Sequence, residues 1–341
     1  MKFGKYILGG FLLVLLVGGG LGYKLYRNVF SPNVKDDFAL YISTEMTYEM
    51  LLDSMAQHDA LRDIKSFDRV ARYKKYPLRM KAGKYAFQKN QNTNALVNML
   101  LAGNQIPVEL TFNNLRFMPD LAAKVSDDLA PDSLAFISCL MDSAVWHKYG
   151  FNQHTFHAMF IPNTYQMYYA SSPEQFVARM NKEYKRFWNA SRLEKAASLG
   201  LTPVEVITLA SIVQEETIKS DEKPLVAGLY LNRLRKNMRL QADPTVKYAV
   251  GDFSLQRVLN KHLQVDSPYN TYLYAGLPPG PINFPEISSI DAVLHASKHK
   301  YIYMCAKEDF SGYHNFAQTL REHNNNARKY RQALNQRRIY R

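Results

Sequence analysis

Cysteine is nearly missing from this chain: 341 residues carry two, Cys139 and Cys305. Each sits in an apolar run, Ala135-Phe136-Ile137-Ser138-Cys139-Leu140 and Tyr301-Ile302-Tyr303-Met304-Cys305, so both read as buried packing residues. A disulfide framework is excluded, although one long-range bridge stays open in an oxidising compartment. No Cys/His pattern has metal-ligand spacing, and neither a metal nor a cofactor is expected. Acidic residues are in deficit, 30 against 43 Lys and Arg, which leaves a formal charge of +13. That excess suits anionic surroundings such as phospholipid head groups, cell-wall polymer or nucleic acid. Nucleic acid is set aside, because no helix-turn-helix, zinc finger or aromatic RNA-binding motif accompanies the charge.

Long hydrophobic runs are absent with one exception. Residues 6–23 carry no charge, with Lys2 and Lys5 ahead and Lys24 and Arg27 behind. The run ends Gly18-Gly19-Gly20-Leu21-Gly22-Tyr23 without an Ala-x-Ala-like cleavage site, and with Tyr26 included it reaches the span of a tilted helix. We expect an uncleaved single-pass anchor with a short cytoplasmic tail and the bulk of the chain exported. Lysines on both sides give little orientation by themselves.

The length favours more than one folded unit. We expect an α+β protein in three parts: residues 1–27 as tail and transmembrane helix, 28–115 as a small α+β region, and 116–341 as a larger mixed α+β domain. In the small region, 38–42 alternates like a strand and 47–57 reads as a helix. The plan then repeats: strand 83–87, helix 93–101 stopped by Gly103, strand 106–112. No acid or nucleophile there has a suggestive setting, which leaves binding or spacing as its role. Its cationic run, Arg69, Arg72, Lys74, Lys75, Arg79, Lys81 and Lys84, fits a solvated face near an anionic membrane as well as a ligand groove. Residues 118–197 are mostly helical and rich in aromatics, interrupted by Phe160-Ile161-Pro162-Asn163-Thr164-Tyr165. Such a turn can line a sugar site, with Asn163 as the polar contact, or be an ordinary turn.

The chain is organised around Leu209-Ala210-Ser211-Ile212-Val213-Gln214-Glu215-Glu216-Thr217. Thr202 before Pro203, with Glu205 three residues on, signals a helix start of the capping-box kind. At about 100° per residue, Val206, Leu209, Ala210 and Val213 share a face that continues to Glu216 and Thr217. Glu215 points the other way. Glu215 is therefore expected in water and Glu216 at the edge of the buried stripe, where desolvation raises a carboxyl pKa and makes a general acid. A glutamate ending a surface helix is equally an ordinary solvated charge.

Downstream, 225–235 reads as a second helix. Three stretches then have high polar density for loops: Leu240-Gln241-Ala242-Asp243-Pro244-Thr245, Ser267-Pro268-Tyr269-Asn270-Thr271-Tyr272 and Gly276-Leu277-Pro278-Pro279-Gly280-Pro281-Ile282. Proline and glycine stiffen them, while Gln, Asp, Asn and Tyr supply the donors and acceptors a carbohydrate needs. Residues 301–306 read as a buried strand, His314-Asn315-Phe316 as a neighbour of the same cleft, and 321–341 as a basic terminal helix. Its Arg328, Lys329, Arg331, Arg337 and Arg338 are most simply a solvated face.

Ala210-Ser211-Ile212-Val213 with the acids after it, Asn232-Arg233-Leu234, Leu240-Gln241-x-Asp243-Pro244-Thr245, Tyr269-Asn270-Thr271-Tyr272 and Gly276-Leu277-Pro278-Pro279-Gly280 together resemble the motif series of the endolytic murein transglycosylases, the YceG-like family. The likeness is clear from Phe160 to about Asn324, and looser for a small LysM-like module at about 78–113. It implies that Glu216, the second acid of the family's Glu-Lys-Glu-Thr run, is catalytic; the first acid of that run is Gln214 here. An acid of the family is likewise replaced by Asn163, which speaks against proton transfer at that position. Gln241, Asp243, Asn270, Tyr272, Asn163 and His314 are expected to hold substrate, Asp243 being open also to the roles of second acid or turn opener.

The activity implied is cleavage of the β-1,4 bond from N-acetylmuramic acid to N-acetylglucosamine within nascent peptidoglycan, giving 1,6-anhydro ends and terminating strand growth. It would take place on the periplasmic side of the inner membrane, beside peptidoglycan synthases. A lone acid suits that reaction, because the substrate's own C6 hydroxyl replaces the water that a second carboxylate activates in hydrolases. Two other readings share these features: a hydrolytic muramidase, and a non-catalytic glycan-binding scaffold.

Overall fold

A computed structural model describes residues 3–255 and 257–337. Lys2, Arg338 and the rest of the expected terminal helix beyond 337 lie outside these residues. The chain divides into two compact units, one built mainly from residues 1–110 with 126–132 and 166–172, the other from the remainder.

The first unit opens with helix α1 (Phe3–Phe30), followed by β1 (Phe38–Ile42), α2 (Tyr48–Gln57), α3 (Ile64–Tyr73), β2 (Gly83–Phe87), α4 (Thr93–Ala102) and the start of β3 (Val108–Phe112). Side chains cap the helices as their sequences ask: Thr47 accepts from the Met50 N–H and Asn92 from the Ala95 N–H. Gly103 ends α4 at φ 77°, a left-handed conformation that glycine adopts without cost. β1 and β2 pair antiparallel with Leu40 opposite Tyr85, so that Leu40, Ile42, Tyr85 and Phe87 face one core with Leu51, Phe67, Leu96 and Leu100. The second strand, helix, strand run forms as β2, α4 and β3, and its strands find their partners outside it. β2 takes β1 as its partner and β3 takes β4 (Asn163–Met167), leaving one bridge, Lys84 to Ile106, between β2 and the approach to β3.

On α1 the apolar side chains of Phe11, Leu12, Leu13, Leu15, Leu16 and Val17 are exposed. Among the described residues no single helix is long and apolar enough to cross a membrane.

The second unit contains α5 (Met118–Ser126), α6 (Ser133–Leu140), α7 (Ser143–Lys148), β4, α8 (Pro173–Phe187), α9 (Ala190–Leu199), α10 (Pro203–Glu216), α11 (Lys223–Arg235), α12 (Asp243–Val250), α13 (Ile287–Leu294), the antiparallel pair β5 (Tyr303–Ala306) and β6 (His314–Ala317), and α14 (Leu320–Gln336). α10 is its axis, packed on α9, α11, α12 and α13. The capping box forms as the sequence asks: Thr202 accepts from the Glu205 N–H while the Glu205 carboxylate accepts from the Thr202 N–H. Every side chain from Val206 to Val213 is buried, so α10 is a core helix covered on all sides rather than an amphipathic surface helix with one stripe. Two expectations change at β5. Residues 303–306 are half-buried, not fully buried, in a two-stranded sheet of β5 and β6 packed against α14. Cys305, on β5, lines a pocket instead of the core. Both cysteines are free.

Candidate active site

α10 ends at Glu216, and its carboxylate enters a pocket of about 250 Å³ lined by α11, β5, β6 and the 240–243 and 272 segments. The lining is mostly polar. Glu216, Tyr230, Arg233, Gln241, Asp243, Tyr272, Cys305 and His314 all contribute. Four of the six residues expected to hold substrate therefore meet Glu216 there: Gln241, Asp243, Tyr272 and His314.

The remaining two stand elsewhere. Asn270 is fully buried; its amide donates to the carbonyls of Leu263 and Val265, and its Oδ1 accepts from the Tyr272 N–H at 3.0 Å. It shapes the loop that presents Tyr272. Asn163 is exposed at the start of β4, with its Oδ1 accepting from the Thr164 N–H.

Two of the three polar stretches are joined by interior hydroxyls. Thr271 Oγ1 accepts from the Ala242 N–H at 3.0 Å and lies 2.8 Å from Thr245 Oγ1, while the Gln241 N–H donates to the Thr271 carbonyl. These bonds clamp the 240–245 segment to the 269–272 turn. Asp243-Pro244 opens α12 with proline at its second position, rather than lying in a loop. Gln241 is held at φ 51°, which turns its side chain toward the pocket against its ordinary backbone preference. The proline-rich third stretch docks on α10. The Ile282 N–H donates to Ser211 Oγ at 3.0 Å, and a Cβ on Gly280 would stand 1.9 Å from the His154 carbonyl oxygen, so only glycine fits there.

Arg233 is visible in the sequence only as part of a motif, yet its guanidinium fixes the pocket floor. It donates from Nε to the Ile302 carbonyl at 2.6 Å and from Nη1 to the carbonyls of Arg239 and Leu240 and to Gln241 Oε1. Glu222, 2 % exposed, holds His314 by two contacts: the His314 N–H donates to Oε1 at 2.7 Å, and the ring Nδ1 lies 2.9 Å from Oε2. Tyr230, on α11, donates its hydroxyl to Glu216 Oε1 at 2.6 Å. Neither Tyr230 nor Glu222 has a sequence signal beyond its place in an apolar or acidic stretch; each is defined by a partner distant along the chain.

The electrostatics separate Glu216 from its neighbours. Burial pushes its carboxyl up to about 7, with the negative charge of Asp243 adding to the rise; the Tyr230 hydrogen bond and the charges of His314 and Arg233 hold it back. Tyr230 itself is pushed well above its usual range, chiefly by burial, and remains a donor. Burial raises Tyr272 as well, and its hydroxyl donates to Asp243 Oδ1 at 2.6 Å. Chemically the pocket offers one carboxyl able to give and retake a proton near neutrality, beside an acceptor-rich wall suited to hydroxyls.

Glu215 is exposed, as its side of the helix predicts, and it also has protein partners there. Arg116 Nη2 reaches both its oxygens, at 3.0 and 3.1 Å, and the Asn283 amide donates to Oε1 at 2.7 Å. Gln214 Oε1 accepts from the Glu286 N–H and Ser289 Oγ at the start of α13, so the amide that stands in place of an acid has a structural use.

The fold and site together define an α+β domain with an enzyme-type polar pocket built around the half-buried Glu216. A family model described as the YceG-like family matches residues 40–329. The chain belongs to the YceG-like family. It is 28 % identical to the endolytic murein transglycosylase of Bacillus subtilis (strain 168), covering 94 % of this chain and 93 % of that one. It is 26 % identical to the endolytic murein transglycosylase of Streptococcus pneumoniae serotype 2 (strain D39 / NCTC 7466), covering 87 % of this chain and 59 % of that protein's length. The crystal structure of a yceG-like protein from Listeria monocytogenes superposes with a TM-score of 0.55 at 25 % identity, over 85 % of this chain and 99 % of that one.

Proposed function

We propose that this protein is an endolytic lytic transglycosylase of peptidoglycan, with Glu216 as its single acid–base catalyst. The observation that carries the reading is the Glu216 carboxyl, raised by burial to about 7 within a polar pocket. The names of its relatives point to the same activity. Protonated Glu216 would give its proton to the glycosidic oxygen that leaves N-acetylmuramic acid. As carboxylate it would then take the proton of the C6 hydroxyl as that oxygen closes on C1, so the proton is returned and no water is consumed. Gln241, Asp243, Tyr272 and His314 hold the sugar. Arg233, Asn270 and Glu222 hold those residues in place.

A hydrolytic muramidase is the second reading, favoured by one observation: Asp243 shares the pocket and supplies the second carboxylate that hydrolysis uses. Its hydrogen bond from Tyr272 supports a role in orientation instead. The cellular setting is part of the proposal. α1 serves as a single-pass anchor in the inner membrane, its exposed apolar side chains in lipid and both folded units in the periplasm near the synthases. The order β2, α4, β3 supports a LysM-like module at about 78–113, with glycan binding or spacing as its role.

Mass spectrometry of intact glycan strands digested by the full chain tests the chemistry. The proposal expects internal cuts with 1,6-anhydro-muramyl ends. Reducing ends would favour the muramidase, and uncut strands the scaffold.

A further inference from the structure

The first unit carries a built surface that glycan cleavage does not use. Beside the C-terminal end of α1, where the Ser66 hydroxyl donates to the Asn28 carbonyl, a cavity of about 350 Å³ opens between α1, α3 and α4. Its wall is mainly carbon from Val29, Val70 and Tyr73, with Arg69 and Lys74 at its rim. The chain following α3 continues the rim. Lys75 stands in a left-handed turn at φ 58°, and Arg79 lies exposed four residues on. Among these cations stand two apolar side chains almost fully in solvent, Tyr73 at 87 % and Leu78 at 85 %.

The cations are not neutralised locally to the same degree. Arg72 is paired with Asp68 at 2.7 Å, and Arg69 stands 4.0 Å from Asp63. Lys74 donates only to the neutral amide oxygens of Asn94 and Asn98. Neither Lys75 nor Arg79 forms an ion pair with a described carboxylate.

An exposed aromatic and an exposed leucine between lysines and arginines are costly in water. They suit an interface where apolar tips enter the acyl boundary and cations meet phosphate. We propose that this surface docks on anionic phospholipid at the membrane from which α1 emerges, with Tyr73 and Leu78 as shallow inserts and Lys74, Lys75 and Arg79 as headgroup contacts. The inference rests on the reading of α1 as an anchor. Given that anchor, the tether is short: α1 ends at Phe30 and packs directly against α3 and α4, so the basic face is held within reach of the lipid by the same unit.

The test is lysine footprinting of the full chain in nanodiscs. One set is phosphatidylcholine and the other an equal mixture of phosphatidylcholine and phosphatidylglycerol. Acetylation by a water-soluble reagent is read residue by residue by mass spectrometry. Lys74 and Lys75 should react several-fold more slowly in the anionic discs than in the neutral ones, with the difference shrinking at high salt, while Lys298 and Lys307 react alike in both.

Equal rates at Lys74 and Lys75 in the two discs would overturn the inference and leave the anchor standing. Loss of protection in the Lys75→Glu, Arg79→Glu double variant, both positions being exposed and outside the pocket, would support it. Protection of detergent-solubilised chain by inorganic phosphate alone would overturn the lipid surface in favour of a soluble-ion site. Capture by anionic discs only would remove the anchor and keep the surface, and capture by neither would remove both.

Discussion

The two sides of the last turn of α10 hold adjacent glutamates in opposite settings. Toward Arg116 and Asn283, Glu215 meets a guanidinium on both oxygens and an amide on one, and its charge is compensated. Toward α11 and β6, Glu216 meets one phenol and the charge of Asp243, and its charge is opposed. The same residue type is thus paired with a guanidinium on one side and, in the proposed reaction, carries the proton on the other. What decides is the company each side chain keeps, because compensation stabilises a carboxylate and desolvation stabilises the acid.

The sharpest way to break this comparison is to neutralise each glutamate in turn. Glu216→Gln should lower the rate of strand cleavage by ~10²–10⁴-fold with the fold retained, the range expected for a lost general acid. Glu215→Gln should stay within roughly threefold of the parent in rate and lose about 0.5–1.5 kcal/mol of stability by chemical denaturation, since it gives up part of a charge-assisted contact. Comparable rate losses in both variants would end the distinction.

Next in size is the pocket floor. Arg233→Leu should cost about 2–4 kcal/mol, because three carbonyls and Gln241 lose their donor in a buried place. Thermal unfolding and the KM for soluble glycan, both worsened, would check it.

A smaller effect is the pH dependence of stability at Glu216. Folded Glu216 has its pKa raised from 4.5 to about 7. The stability its protonation contributes is complete below the unfolded value and lost as pH rises through about 7. Glu216→Gln removes that loss, so the variant should gain on the parent by ~1–3 kcal/mol between about pH 5 and about pH 8.

Much of this arrangement is local and can be read from residues alone. β1 and β2 have the bounds their alternation predicts, and the Thr202, Pro203 and Glu205 start of α10 forms as a capping box, because side chain and backbone partners lie within four residues. Four pocket residues are also legible, since the stiff polar stretches that carry Gln241, Asp243 and Tyr272, and the strand start at His314, do converge.

What cannot be read depends on partners far apart in sequence. The periodicity of α10 points Glu215 to an exposed side, but not to Arg116, 99 residues earlier, which pairs with it there. Asn270 has the composition of a sugar contact and spends its amide on its own loop. Tyr230 looks like any aromatic in an apolar helix until α11 is laid against the end of α10. Strand partnership is hidden for the same reason: β2 could pair with β1 or β3, and local alternation does not choose.

The central claim is that burial poises Glu216 as the acid, and the most direct measurement is the pH dependence of kcat/KM on soluble glycan, parent beside Tyr230→Phe. The account predicts a rate that falls as pH rises through about 7, where Glu216 loses its proton. In Tyr230→Phe that fall should move to higher pH, because the phenol's hydrogen bond favours the carboxylate and its loss favours the acid. A profile flat through neutrality, or a fall that stays in place without the phenol, would contradict it.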